Sequence, residues 1–131
     1  MRFTIDRIDH FVINCKSVEI SAAWYQRVLG MEREDFGPDH RTALKFGGQK
    51  INLRPADMDV GSWPTGAVVE IGTGDLCFIT AVPPEEVIGH LHDCGVQILQ
   101  GPVEKAGALG TIRSVYCRDP DGNLIEISSY H

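Results

Sequence analysis

HFVINCKSVEISAAWYQRVLGMERE (10–34) and DLCFITAVPPEEVIGHLHDCGVQILQ (75–100) present one arrangement twice. Each begins with a short β-type run rich in Val, Ile, Phe and Leu. Each then passes a polar or proline-marked helix entry and closes its helix at a glycine. The first predicted helix, about 17–29, carries Val18, Ala22, Tyr25 and Leu29 at three- to four-residue spacing. The second, about 84–94, carries Val87, Ile88, Leu91 and Cys94. Gly30 and Gly95 fall where the glycine after a helix belongs. They lie 65 residues apart, and the same shift places His10 on Asp75.

The strand endings repeat with a different shift. GGQKINL (47–53) superposes on DGNLIEI (121–127) at a separation of 74, which sets Asn52 on Glu126 and Leu53 on Ile127. The second unit is therefore longer between its helix and its last strand, and the glycine-rich PVEKAGALGTIRS (102–114) is the place expected for a loop insertion. The fold class expected is α+β: two tandem βαβββ modules forming a curved mixed sheet around a cleft. Module one spans about 6–54, a linker rich in Pro, Gly and Asp spans 55–73, and module two spans about 74–130. The strands expected in module one are about 6–14, 33–37, 41–47 and 50–54. Those in module two are about 75–80, 96–100, 112–118 and 123–129, and AVVEI (67–71) reads as an additional short strand.

Bulk composition removes several function classes. The chain has 131 residues, 43% hydrophobic and 23% charged, as suits one soluble domain. Its net charge of -6 and pI of about 5.2 argue against nucleic acid or an anionic membrane as partner, since both need a basic face. No apolar run approaches the roughly 18 residues of a membrane span. The charged start, MRFTIDRIDH, does not read as a signal peptide, so the expected location is cytoplasmic. Cys15, Cys77, Cys94 and Cys117 are scattered without a C-x-x-C pair and read as buried free thiols.

Glu126 stands in a run otherwise suited to burial, and an unpaired buried carboxylate costs several kcal/mol or more. The repeat suggests a partner. His10 and Asp75 hold equivalent places on first strands, Asn52 and Glu126 on last strands. Neighbouring strands bring side chains on one face to about 5 Å. Taken singly, His10 fits a hydrogen-bonded structural group, Asp75 a turn residue, and Glu126 a solvent-facing strand residue. Taken together, His10, Asp75 and Glu126 are good ligands for a divalent metal, with Asn52 offering a weak carbonyl oxygen.

IDHFVIN, the helix with WYQRVLGM, GGQKINL, DLCFIT and YCRDPDGNLIEIS resemble the vicinal-oxygen-chelate superfamily over nearly the whole chain. That superfamily includes glyoxalase I, bleomycin-resistance proteins, fosfomycin-resistance thiol transferases and extradiol dioxygenases. DLCFIT and GPVEKAGALG are most similar to the glyoxalase-domain-containing protein 5 type, which includes virulence-associated bacterial proteins. The resemblance implies paired modules, a homodimer, and a divalent metal (Mn, Ni, Zn or Fe) on His10, Asp75 and Glu126. It implies lyase or isomerase chemistry on a small oxygenated metabolite, or metal-free sequestration of a drug, or thiol transfer. Asp75 stands where the family usually has His, and Asn52 where glyoxalases usually have Glu. Both departures turn the reading away from glyoxalase I, and one histidine with two carboxylates departs from the two-histidine pattern of iron(II) oxygenases.

Other candidates follow from alternation. Arg54 is two residues past Asn52 and shares its face, so both are expected to bind substrate. Tyr116 lies on the strand before the D-P-D-G-N turn, and the resembling thiol transferases use an equivalent tyrosine as a hydrogen-bond donor, which makes it a candidate substrate-binding and catalytic residue with Glu126; whether the two share a face turns on one residue of turn length. Lys105, Arg113 and Ser114 lie in or beside the expected insertion loop. Trp24 and Phe46 read as core, and Trp63 as a residue touching substrate or a partner subunit. His90 and His92 are two apart on a helix and cannot chelate together.

Overall fold

A computed structural model describes residues 2–130. In chain order the elements are β1 (His10–Cys15), α1 (Val18–Leu29), β2 (Glu32–Phe36), β3 (Arg41–Phe46), β4 (Gln49–Pro55), β5 (Asp75–Ile79), α2 (Pro84–Asp93), β6 (Gln100–Gly107), β7 (Gly110–Arg118) and β8 (Leu124–Tyr130). They form two compact units that meet in sequence at Val69 and Glu70. Each unit is βαβββ, with sheet order β1-β4-β3-β2 in the first and β5-β8-β7-β6 in the second. The first and last strands of each unit pair in parallel, and the other pairs are antiparallel.

The registers carry the two shifts read from the sequence. Val12 lies opposite Asn52 in β1–β4, and Cys77 opposite Glu126 in β5–β8. Ala43 then faces Asn52 as Tyr116 faces Glu126, while Glu34 faces Ala43 as Gln100 faces Tyr116. The additional residues of module two therefore fall mainly between β6 and β7. They do not form the expected loop. They lengthen a hairpin, pairing Val103–Gly107 with Gly110–Ser114 beyond a bulge between Gln100 and Val103. Glycines in that segment had argued for a loop, but a continuous backbone ladder satisfies its N–H and C=O groups.

In module one, α1 starts where Ser17 caps it through the Ile20 N–H at 3.2 Å and ends at Gly30 in the left-handed region, φ 65. It buries Ser21, Ala22, Trp24, Tyr25 and Val28, a broader stripe than expected. Trp24 and Tyr25 meet edge to face, ring centres 4.9 Å apart. The sheet answers with Ile13, Leu44, Ile51 and Leu53, all nearly water-free. In module two, α2 begins at Pro84 with Glu85 and Glu86 in its first turn, a placement favoured by the missing proline N–H and the helix dipole. Val87 and Leu91 are buried on this helix, as are Val115, Cys117, Ile125 and Ile127 on its sheet.

Three expectations about elements fail. Residues 67–71 are bends and irregular chain, not a strand; Val68 is 73% exposed, so the run buries too little to repay ordering. β1 starts at His10, not residue 6, because β4 begins at Gln49 and offers no longer partner. β6 runs over Gln100–Gly107, not 96–100. Among the described residues no helix is long and apolar enough to cross a membrane. Cys15 and Cys117 are buried free thiols as expected, whereas Cys77 is exposed and Cys94 half-buried.

Candidate functional site

Glu126 is half-buried on β8, and hydroxyl groups are what hold it. Ser114 Oγ donates to Glu126 Oε2 at 2.6 Å. Ser128 Oγ lies 2.7 Å from Ser114 Oγ and 3.4 Å from the same carboxylate oxygen. Both serines are buried, so their donors have little competition from water. Tyr116 lies directly opposite Glu126 on β7, so the two residues share a face, which turn length alone had left open. Desolvation first, then the neighbouring Glu126 carboxylate, push the Tyr116 phenol up to about 12, so it stays protonated. Cys77 faces Glu126 across β5–β8, its Sγ 3.4 Å from Ser128 Oγ. Its thiol is raised, by desolvation first and then by the nearby carboxylates of Glu126 and Asp75.

Asp75 is exposed at the start of β5, diagonal to Glu126 on the same face. The turn Asp119–Asn123 sets that register. Asp119 Oδ1 accepts the backbone N–H groups of Asp121 and Asn123, each at 2.9 Å. Asn123 Nδ2 donates to Asp119 Oδ2 at 2.7 Å, and Asn123 Oδ1 accepts from Gly74 N at 2.8 Å. The turn thus ties the start of β8 to the residue before β5. Above this face lies a pocket of about 470 Å³, lined among others by Cys77, Ile79, Lys105, Tyr116, Glu126 and Tyr130.

Module one places its candidates differently. His10 is exposed on β1, with Nδ1 2.8 Å from Asp9 Oδ2. That bond holds the Asp9 carboxyl below its ordinary range. Asn52 is 6% exposed, and its Oδ1 has no hydrogen-bond partner among the described residues. Its cross-strand neighbours, Val12 and Ala43, have no side-chain donor.

Arg54 corrects the sequence reading. It is fully buried, and its guanidinium is engaged by the protein itself. Nε donates to Trp63 O at 3.0 Å, Nη1 to Asn14 Oδ1 at 2.8 Å and Pro55 O at 3.3 Å, and Nη2 to Met58 O at 2.8 Å. These bonds fasten the connector after β4 in place of a substrate. Trp63 is likewise buried at 6% exposure, with the Arg41 guanidinium 3.9 Å above its ring centre.

The three ligands expected for a metal are divided between units: His10 in the first, Asp75 and Glu126 in the second. Within neither unit, among the described residues, do three His, Cys, Asp or Glu side chains gather to hold an ion. Ser128 and Cys77 had no assigned role in the sequence reading. The 65 and 74 shifts carry the signal for both, since they set Cys77 opposite Glu126 and Ser128 two residues beyond.

A duplicated βαβββ module with a supported carboxylate on the open face of its second sheet defines a paired-module protein of the vicinal-oxygen-chelate type. Residues 7–109 match the Glyoxalase/Bleomycin resistance protein/Dioxygenase superfamily, and the chain belongs to it. It is 44% identical over 130 residues to the virulence protein STM3117 of Salmonella typhimurium, covering 99% of this chain and 88% of that one. The crystal structure of that protein superposes with a TM-score of 0.93, over 98% of this chain and 100% of the other. The glyoxalase domain-containing protein RDO1 of Mycosarcoma maydis is 41% identical over 129 residues, covering 98% of this chain and 71% of its own length. An integron cassette protein from Vibrio cholerae is 42% identical with a TM-score of 0.94 over 100% of both chains. A lactoylglutathione lyase from Agrobacterium tumefaciens (21%, TM-score 0.73, 96% of this chain and 95% of that one) shares the fold alone. So does the antibiotic-binding protein TnmS3 from Streptomyces (19%, TM-score 0.76, 99% of this chain and 100% of that one).

Proposed function

We propose that this protein is a metal-dependent enzyme acting on a small oxygenated metabolite, with Glu126 as its proton-handling carboxylate. The observation that carries the reading is Glu126 in the lining of a pocket, held by the Ser114 hydroxyl with Ser128 behind it and Tyr116 opposite. A carboxylate held by the buried Ser114 hydroxyl, itself bonded to Ser128, keeps one orientation, as a general base or a ligand requires. Tyr116, protonated across the physiological range, donates a hydrogen bond where negative charge develops on a substrate oxygen. Apolar Ile79 and the tyrosines limit water around the reacting group.

Within module two, the donors that suit a divalent cation of the Mn, Fe, Ni or Zn group are two carboxylates, Asp75 and Glu126, diagonal on one face. In module one, the contact of His10 Nδ1 with the Asp9 carboxylate favours the tautomer that keeps Nε2 for an ion. A bound ion would supply Lewis-acid polarisation of substrate oxygens. A homodimer belongs to the same reading. Phe3, Ile5 and Ile8 remain exposed ahead of β1, an apolar stretch that a second copy would cover.

The test is metal analysis after dialysis, with thermal unfolding in added Mn, Ni or Zn, on wild type, Glu126→Gln and Glu126→Ala. An ion at a hundredfold excess over its Kd stabilises the native state by about 2.7 kcal/mol. The expected outcome is such a gain in the wild type and its loss in both variants. No bound ion and no gain in the wild type refutes the enzyme reading and leaves a metal-free binding protein.

A further inference from the structure

The β6–β7 hairpin extension is what module two has and module one lacks, and it forms one wall of the pocket above Glu126. Two contacts hold the wall in place. The Leu109 N–H donates to the Tyr130 phenol oxygen at 3.1 Å. Gly107 lies so close that a Cβ there would stand 2.7 Å from the Tyr130 hydroxyl and 2.9 Å from Ile112 Cγ2, so only glycine permits the approach. The pairing of Lys105 with Ile112 sets Lys105 on the pocket side, its Nζ 5.8 Å from the centre of the Tyr116 ring. Among the residues that line this pocket Lys105 is the one cation and Glu126 the one carboxylate, with apolar, aromatic and small side chains forming the rest.

We propose that Lys105 anchors an anionic group of the substrate, which makes the substrate class a small organic acid with an apolar or aromatic body. This rests on the reading of Glu126 as the reacting end. The two charges orient such a molecule, because Glu126 repels an anion that Lys105 attracts. The acid group sits at the hairpin, and a neutral oxygenated group faces Tyr116 and Glu126. A pocket of about 470 Å³ accepts a molecule of that kind. Lys105 is exposed, so solvent screens the pair to about 1 kcal/mol, which reads as a roughly five- to tenfold change in affinity.

The probe is 4-hydroxyphenylacetate, an acid at one end and a hydroxyl at the other, with its uncharged methyl ester as control. Each is titrated into the full-chain wild type, Lys105→Met and Lys105→Arg, by calorimetry and amide chemical shifts. The acid is expected to bind the wild type more tightly than the ester does, to weaken five- to tenfold in Lys105→Met, and to recover in Lys105→Arg. The ester is expected to bind all three proteins alike. Equal binding of the acid by wild type and Lys105→Met overturns the assignment, as does an acid that binds the wild type no better than its ester or not at all. Failure of the manganese experiment on Glu126 with a Lys105-dependent acid removes the enzyme reading and leaves the anion anchor standing.

Discussion

Replacing Arg54 with Met separates structure from recognition most sharply. The substitution keeps a long apolar stem in a site with no solvent exposure and removes the guanidinium that bonds Trp63 O, Pro55 O, Met58 O and Asn14 Oδ1. A hydrogen bond to a charged group is worth about 1.5–3 kcal/mol. Met58 is exposed, so water replaces its partner, and the longest contact, 3.3 Å to Pro55 O, is weak. The carbonyl of buried Trp63 and the amide of Asn14 bear most of the loss. Leaving two such buried acceptors unsatisfied costs about 1–3 kcal/mol each, and about 4 kcal/mol is the expected loss here. With a urea m-value of roughly 2 kcal/mol/M, the unfolding midpoint falls by roughly 2 M. Arg54→Lys restores only part of this, since an ammonium cannot reach acceptors spread around a planar fork. Urea unfolding followed by tryptophan fluorescence measures it, with Trp63 reporting the connector. A loss under about 1 kcal/mol in Arg54→Met would refute the clamp. Lost binding of small acids at unchanged stability would return Arg54 to the recognition role its spacing first suggested.

Three further outcomes are expected. Ser17→Ala removes the cap of α1 and costs about 1 kcal/mol in urea unfolding, whereas Ser17→Asp is close to neutral. Asp119→Ala frees two backbone N–H groups and the Asn123 amide; it is expected to cost about 2–4 kcal/mol and to speed hydrogen exchange at Leu124 N–H, which bonds Gly74 O at 2.9 Å across the β5–β8 junction. The Cys117 thiol, pushed up to about 11 by burial and the Asp119 charge, stays unlabelled by a disulfide reagent at pH 8 until the protein unfolds. Because its folded pKa lies above the unfolded value, its contribution to stability is present below about pH 9 and is lost as pH rises towards 11; Cys117→Ala is expected to flatten that part of the urea-midpoint profile.

The paired modules were legible because the shifts are carried by matching residues, His10 with Asp75 at the start of the first strands and Asn52 with Glu126 inside the last strands, and the sheets keep those registers. What stayed hidden depends on chain geometry that no spacing encodes. Whether Tyr116 faces Glu126 turns on one residue in the Asp119–Asn123 turn. Whether Arg54 meets water or a carbonyl turns on a connector that folds back over it. The glycines of 102–114 argued for a loop, yet one of them, Gly107, is required by the packing of a strand against Tyr130 and Ile112.

The repeat also explains why only one module supports a carboxylate. On the open face, Cys77, Glu126 and Tyr116 of module two correspond to Val12, Asn52 and Ala43 of module one. Ser114 and Ser128 correspond to Arg41 and Arg54, by the same strand alignment. Hydroxyl hydrogens can satisfy an ionised carboxylate, so Glu126 is stable where it stands. Module one has an alanine and a valine beside Asn52, which leaves its Oδ1 unpartnered, and it uses the two remaining positions for guanidiniums around Trp63, at 3.9 and 6.0 Å from the ring centre. An arginine at position 128 would have its charge beside Glu126 and no connector carbonyls of its own to bind. A serine at position 54 would leave Trp63 O and Met58 O without the donor that now reaches them. The duplicated scaffold is therefore chemically divided, with an acid and its donors on one sheet and a clamp for the connector on the other. His10, by contrast, stands at the exposed end of β1 with its Nδ1 bonded to Asp9, outside both the clamp and the apolar surroundings of Asn52.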